Sequence, residues 1–285
     1  MGSTDTFSGW PRLFSPDDAP VPFRAALARL SEAQPGPPTC IYNPEHRFDR
    51  YLSSAKVVAW WSDRLALLDA AASGTVTAEL TLAQVSRIEW GTALLSTWLE
   101  LEGAGPRGRA TARVDFNTTC RFLYDPLLAL LRGPRYPGAH PGWTTPPFDE
   151  LTRLDYRFAS FARMALAPGA DALAWHREPA LRLRRPRSIW WERLPAFLVL
   201  LTQAELVLVL EGDGRRHGPY AATWTFLPLA ELASATVEVS PAQDRARLRL
   251  RLRDGGEAGC EASAASAPAI RAVLSQLPAR RVTAA

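Results

Sequence analysis

Arg182, Arg184, Arg185 and Arg187 form the densest basic cluster in the chain, and Trp190 and Trp191 follow directly behind it. Guanidinium groups at that density attract phosphate, an acidic peptide or an anionic membrane surface, and adjacent indoles add apolar anchorage. The plain alternative is a solvated connection, because Pro186 breaks the segment. A second pair, Trp60 and Trp61, ends a strand-like run. Side chains alternate along a strand, so one ring of each pair faces outward, either as an interface anchor or beneath a covering element. Gly103-Ala104-Gly105-Pro106-Arg107-Gly108 fits G-x-G-x-x-G, but dinucleotide binding needs a helix behind the motif, and Ala110 to Phe116 reads as a strand. The motif is therefore read as a hairpin loop. Gly212 to Gly218 is read in the same way, with Arg215, Arg216 and His217 in an ordinary polar loop. His46, His140, His176 and His217 are isolated from one another, and no CxxC or HxxxH spacing occurs, so no metal site is expected. No Ser sits in a G-x-S-x-G elbow and no Cys has a basic partner nearby, so no catalytic residue and no cofactor is expected.

Composition narrows the remaining classes. The chain has 285 residues, 47% apolar and 22% charged, which suits two globular domains of ordinary size. Its net charge of +4 comes from a basic set that is almost all Arg, with Lys56 the one lysine, and 29 acidic residues offset most of it. Nucleic-acid binding is not expected, since a basic stripe with interleaved aromatics is missing. Cys40, Cys120 and Cys260 are odd in number and widely spaced, and read as small buried apolar residues in a reducing compartment. The first 18 residues are polar and Pro-interrupted, without a signal-peptide pattern, and no apolar run approaches the roughly 20 residues of a membrane span. A cytoplasmic protein is the expectation.

The elements that must position these residues follow from spacing. Phe23, Leu27 and Leu30 mark a short amphipathic helix stopped by Pro35-Gly36. Strands are expected over Lys56–Trp61 and Leu65–Ala70 as a hairpin, then over Val76–Leu82, Arg87–Trp90, Leu94–Glu102 and Ala110–Phe116, with a helix over Pro126–Arg132. Five prolines and three glycines between Gly133 and Pro147 mark a linker. Phe148, Leu151, Leu154, Phe158, Phe161 and Ala165 then predict one helix, followed by strands over Ala196–Leu201, Leu206–Glu211, Thr223–Leu227, Ala235–Val239 and Ala246–Leu252 and a closing helix over Pro268–Leu277. In the late strand Arg245, Arg247, Arg249, Arg251 and Arg253 share one face and alternate with Ala246, Leu248, Leu250 and Leu252. The second half repeats the programme of the first, which reads as a duplicated domain.

Leu201-Thr202-Gln203-Ala204-Glu205-Leu206 and Leu227-Pro228-Leu229-Ala230-Glu231-Leu232, in a run of strands closed by one helix, resemble the pleckstrin-homology-like and GRAM-like domains of bacteria. Ser62-Asp63-Arg64-Leu65 and Leu80-Thr81-Leu82-Ala83-Gln84-Val85 carry the likeness in the first half, so it spans roughly 55–132 and 194–278. The resemblance implies an α+β fold of two duplicated, pleckstrin-homology-like antiparallel β-barrels, each preceded by an amphipathic helix and capped by a C-terminal helix. Leu127, Leu130 and Leu131 would plug the first barrel, and Ile270, Val273, Leu274 and Leu277 the second. The expected organisation is a polar segment over 1–20, domains over 21–133 and 148–285, and a linker over 134–147. Phosphoinositide-binding relatives carry basic residues on their first hairpin, whereas Ser62-Asp63-Arg64 and Thr202 to Glu205 are hardly basic, so specific inositol-lipid recognition is not expected. The function implied is a non-catalytic protein-interaction or scaffolding module with a protein or peptide partner. Two alternatives stand beside it: peripheral binding to an anionic membrane surface through Arg182 to Arg187 with Trp190 and Trp191, and a small-ligand or enzyme cleft between the domains near His46 or His176.

Overall fold

The computed structural model describes residues 11–48, 51–133, 148–167, 170–184, 191–212, 221–240 and 244–277. The chain divides into two compact units, Met1–Leu131 and Arg132–Ala285. Among the described residues no helix is long and apolar enough to cross a membrane.

The first unit contains β1 (Arg12–Phe14), α1 (Arg24–Glu32), β2 (Thr39–Asn43), β3 (His46–Phe48), β4 (Tyr51–Ser53), β5 (Lys56–Trp60), β6 (Arg64–Asp69), β7 (Thr75–Thr81), β8 (Val85–Ala93), β9 (Ser96–Gly105), β10 (Gly108–Asn117) and α2 (Asp125–Arg132), whose last residue, Arg132, opens the second unit. Its strands form one antiparallel sheet in the order β1-β2-β5-β6-β7 and a meander β8-β9-β10, with β3 and β4 as a separate hairpin. Apart from Lys56, Arg64 and Asp69 at their ends, β5 and β6 are apolar at every position, because both faces of that sheet are covered. Val57, Ala59, Ala66 and Leu68 pack with Phe23, Ala26 and Leu27 of the α1 segment. Val58, Leu65 and Leu67 meet Leu99, Leu101 and Val114 of the meander and Leu127 of α2 across a gap of only about 10 Å³, hardly one water in size. The strand expected to begin at Leu94 instead begins at Ser96. Leu94 forms the tip of the β8–β9 hairpin with φ +55°, a backbone that a bulky side chain rarely adopts, so the sequence carries no turn signal there.

The second unit contains α3 (Asp149–Leu154), α4 (Tyr156–Ala165), β11 (Ala172–Glu178), β12 (Leu181–Arg184), β13 (Trp191–Leu194), β14 (Phe197–Thr202), β15 (Glu205–Glu211), β16 (Ala222–Pro228), β17 (Leu232–Ser240), β18 (Arg245–Leu252), β19 (Glu257–Ser263) and α5 (Ala267–Leu274). Here β16-β15-β14-β11 run antiparallel in that order, β17-β18-β19 form a second sheet, and β12 and β13 a separate hairpin. Phe197, Val199, Leu201, Leu206 and Leu208 from the first of these, Ala246, Leu248, Leu250 and Leu252 from the second, and Ile270, Val273, Leu274 and Leu277 share one core. Each such fully buried aliphatic side chain contributes about 1.5–3 kcal/mol. The single helix expected from Phe148 to Ala165 is two. Asp155 takes an extended backbone, φ −159° and ψ 97°, and its carboxylate accepts from the N–H groups of Arg157 and Phe158, so it ends one helix and caps the next.

The expected pair of duplicated barrels is not what the chain forms. Both units are α+β and both carry open antiparallel sheets, but among the described residues no sheet closes on itself, and the pleckstrin-homology-like, GRAM-like and tandem-repeat description falls with the barrel. In the second unit the physical reason is visible where the β19 edge comes nearest β11, because a side chain there takes a main-chain group that a closing ladder would use. Glu178 Oε1 accepts from the Ser263 N–H of β19 at 2.9 Å. The helices therefore cover open cores rather than plug barrels: Leu127 and Leu131 are buried, while Leu130 is half-buried. The expected linker over 134–147 lies outside the described residues.

Candidate functional site

The site is built on β18 and β19. The alternation of Arg245–Leu252 sends Ala246, Leu248, Leu250 and Leu252 into the core and leaves the arginines on the outer face. Arg247 lies opposite Glu238 of β17 on one side and Glu261 of β19 on the other. Both carboxylates lean diagonally away from it: Glu261 bonds Arg245 at 3.1 Å and Glu238 approaches Arg249 at 3.4 Å. Arg251 holds Glu257 at 3.2 Å. Arg247 is exposed and has no acidic partner among the described residues. Beside it lies an open hollow of about 250 Å³ lined by Arg247, Arg249, Glu257, Gly259 and Glu261. Gly259 forms its floor because a Cβ there would stand 2.1 Å from the Leu248 carbonyl oxygen, so no larger residue fits without moving backbone.

Among the described residues β19 is an edge strand, paired only with β18. The Ser263 N–H points away from β18 to Glu178, whereas the Ala264 N–H turns back to the Asp244 carbonyl at 3.3 Å. Main-chain groups alternate in direction along a strand, so the N–H and C=O groups of Glu257, Gly259 and Glu261 also face the open side.

Glu178 anchors one end of this edge. It is 1% exposed, accepts from Ser263 N–H, and lies 3.2 Å from His176 Nε2. Burial works to raise its pKa, but hydrogen bonds from His176, Ser266 and Ser263 together outweigh that and hold it below the ordinary 4.5. A carboxylate with a lowered folded pKa stabilises the fold above its unfolded pKa, and that stability disappears as the pH falls through the folded value. Glu178→Gln is therefore expected to lose about 1–3 kcal/mol at pH 7. It should also show a shallower decline than the unsubstituted protein when urea midpoints are followed from pH 6 down to pH 3; parallel declines would contradict the assignment.

The residues singled out from the sequence fall elsewhere. Trp60 and Trp61 are each 5% exposed, and Trp61 Nε1 donates to the Gly36 carbonyl at 3.2 Å, so both are interior. Arg182 is exposed on β12. Arg184 lies on the same strand in register with Trp191 of β13. Arg185, Arg187 and Trp190 are outside the described residues, as are the Arg215–His217 loop, His140 and His217. The three cysteines are free. Burial pushes the Cys40 thiol up to about 12 and raises those of Cys120 and Cys260 as well, which leaves no thiolate nucleophile at neutral pH. The G-x-G-x-x-G segment is the β9–β10 hairpin, with Gly105 paired to Gly108.

Sequence reasoning reached the arginine face of β18 but missed its partner strand, Glu178, and the pair formed by Arg132 and Glu205. No protein-family model matches the chain, and no curated protein matches it.

Proposed function

We propose that the chain is a non-catalytic docking module that takes an extended segment of a partner protein as an added strand beside β19. The observation that carries this reading is the open edge itself: the N–H and C=O groups of Glu257, Gly259 and Glu261 face away from β18, on a strand where Glu257 and Gly259 are exposed and Glu261 is half-buried. An added strand satisfies those groups with main-chain hydrogen bonds, each worth about 0.5–1.5 kcal/mol net, while side chains beside them set specificity. Charged residues along the strand, Glu257 and Glu261, keep such an edge from pairing indiscriminately.

The test uses proline. The N–H of Glu261 makes no ladder bond, so Glu261→Pro leaves the β18–β19 pairing intact and costs the part-buried contact with Arg245. Partner capture is expected to fall at least tenfold with this variant while its melting temperature stays close to that of the unsubstituted chain. Hydrogen exchange at the Gly259 and Glu261 amides should slow when the captured partner is bound. Capture that survives Glu261→Pro, with unchanged exchange at those amides, rules the reading out.

A further inference from the structure

We infer that the partner segment carries a carboxylate side chain, from Asp or Glu, which crosses Gly259 and pairs with Arg247. This rests on the docking reading above and adds the chemistry of the partner to it. A strand added beside β19 lies about 5 Å from it and about 10 Å from β18, so a side chain of the added strand reaches the arginine row only where β19 presents no side chain in between. On the outer face of β19 that happens at one place. Glu257 and Glu261 flank Gly259, and the hollow over Gly259 opens onto Arg247 and Arg249.

Charge selects the occupant. Around the hollow, Arg245 is matched by Glu261, Arg249 by Glu238 and Arg251 by Glu257. Of these four arginines Arg247 alone has no carboxylate partner among the described residues, and its two cross-strand carboxylates are both drawn to neighbours. One uncompensated positive charge suits a monoanion. A phosphate dianion would bring a second negative charge between Glu257 and Glu261, where like charges oppose it. The hollow, about 250 Å³, is smaller than the pockets that enclose small-molecule ligands, roughly 300–1,000 Å³, and takes one side chain of an extended peptide. Guanidinium and carboxylate meet there as a charge-assisted pair at a partly screened surface, which makes the contact selective without making it the main source of affinity.

The test is a selection of random nine-residue peptides, displayed on phage, against the full chain and against its Arg247→Glu variant. Arg247 is exposed and makes no ion pair among the described residues, so the variant should fold, as circular dichroism will check. The unsubstituted chain is expected to enrich peptides with Asp or Glu at one fixed position. Arg247→Glu should lose that preference and enrich Lys or Arg at the same position. In a selected peptide, replacing the acid by its amide should weaken binding to the unsubstituted chain about tenfold and leave binding to Arg247→Ala unchanged. Selected peptides without an acidic preference, still blocked by Glu261→Pro, would overturn the carboxylate assignment and leave strand addition standing. Peptides whose binding ignores Glu261→Pro, or a selection that yields none, would overturn both. Self-association of the chain abolished by Glu261→Pro would put a second copy on the edge and overturn the assignment to an acidic partner peptide.

Discussion

Replacing Arg132 by Ala is expected to cost the second unit about 3–5 kcal/mol, the largest loss for any single side chain outside the apolar core. Glu205 is wholly buried, and Arg132, with which that unit begins, is its cation: the guanidinium donates to Glu205 Oε2 from Nη2 at 2.8 Å and from Nε at 3.1 Å. The same Nη2 donates to the Ala165 carbonyl at 2.7 Å, and the guanidinium carbon lies 4.0 Å from the centroid of the Phe226 ring. Glu205 is fixed in turn by Thr202, whose hydroxyl accepts from the Glu205 N–H and donates to its carbonyl, both at 3.0 Å. Removing the arginine leaves a carboxylate away from water with its principal counter-charge gone, which is why the loss exceeds that of an exposed ion pair several-fold. Lys at this position restores the charge but not the planar fork, so Arg132→Lys should recover only part of the loss. Replacing both partners by apolar residues, Arg132→Met with Glu205→Leu, should recover most of it, because no charge is then buried. Urea denaturation followed by tryptophan emission measures all three. A loss below about 1 kcal/mol for Arg132→Ala would mean that water reaches Glu205 in solution.

That pair shows why a chain legible in its elements was only half legible in its site. Glu205 was recognisable as a turn residue behind Thr202, but nothing local in Leu201 to Leu206 says that its carboxylate is buried, and its partner lies 73 positions away. The arginine face of β18 was legible because strict alternation over eight residues fixes which side chains share a face. Its neighbour β19 was not, since Glu-Ala-Gly-Cys-Glu-Ala-Ser contains no β-branched or aromatic residue and is a strand only because β18 pairs with it. The closed barrel failed for a related reason. Strand positions follow from local pattern, whereas closure depends on whether two edges meet main chain to main chain, and where the β19 edge comes nearest β11 the Glu178 side chain intervenes. The density of Arg182 to Arg187 and the doubled tryptophans drew attention by composition, yet Trp60 and Trp61 serve the interior, where large aromatic side chains contribute most.

Gly105→Ala is expected to destabilise the first unit by about 3 kcal/mol, and the sign of the change carries the argument. Gly105 has none of the positive φ that makes glycine necessary. In an ordinary strand, Ala in its place would stabilise by about 0.4–1 kcal/mol through the unfolded chain. Here, however, a Cβ would stand 1.9 Å from the Glu79 carbonyl oxygen of β7, and at Gly103 another would stand 2.4 Å from the Gln84 carbonyl oxygen. Both obstacles are backbone and cannot swing aside, so β9 must move away from β7 or the 3₁₀ turn that follows it. The first glycine of the G-x-G-x-x-G motif is thus explained by close approach to the 3₁₀ turn, the second by close approach to β7, and the third, Gly108, by its φ of +102° at the start of β10. A phosphate-cradling loop makes the opposite forecast: Gly105→Ala would leave stability near its original value or above it and impair only dinucleotide binding. Denaturation midpoints of Gly103→Ala and Gly105→Ala therefore decide between packing and nucleotide chemistry, and a stabilised Gly105→Ala protein would refute the packing account outright.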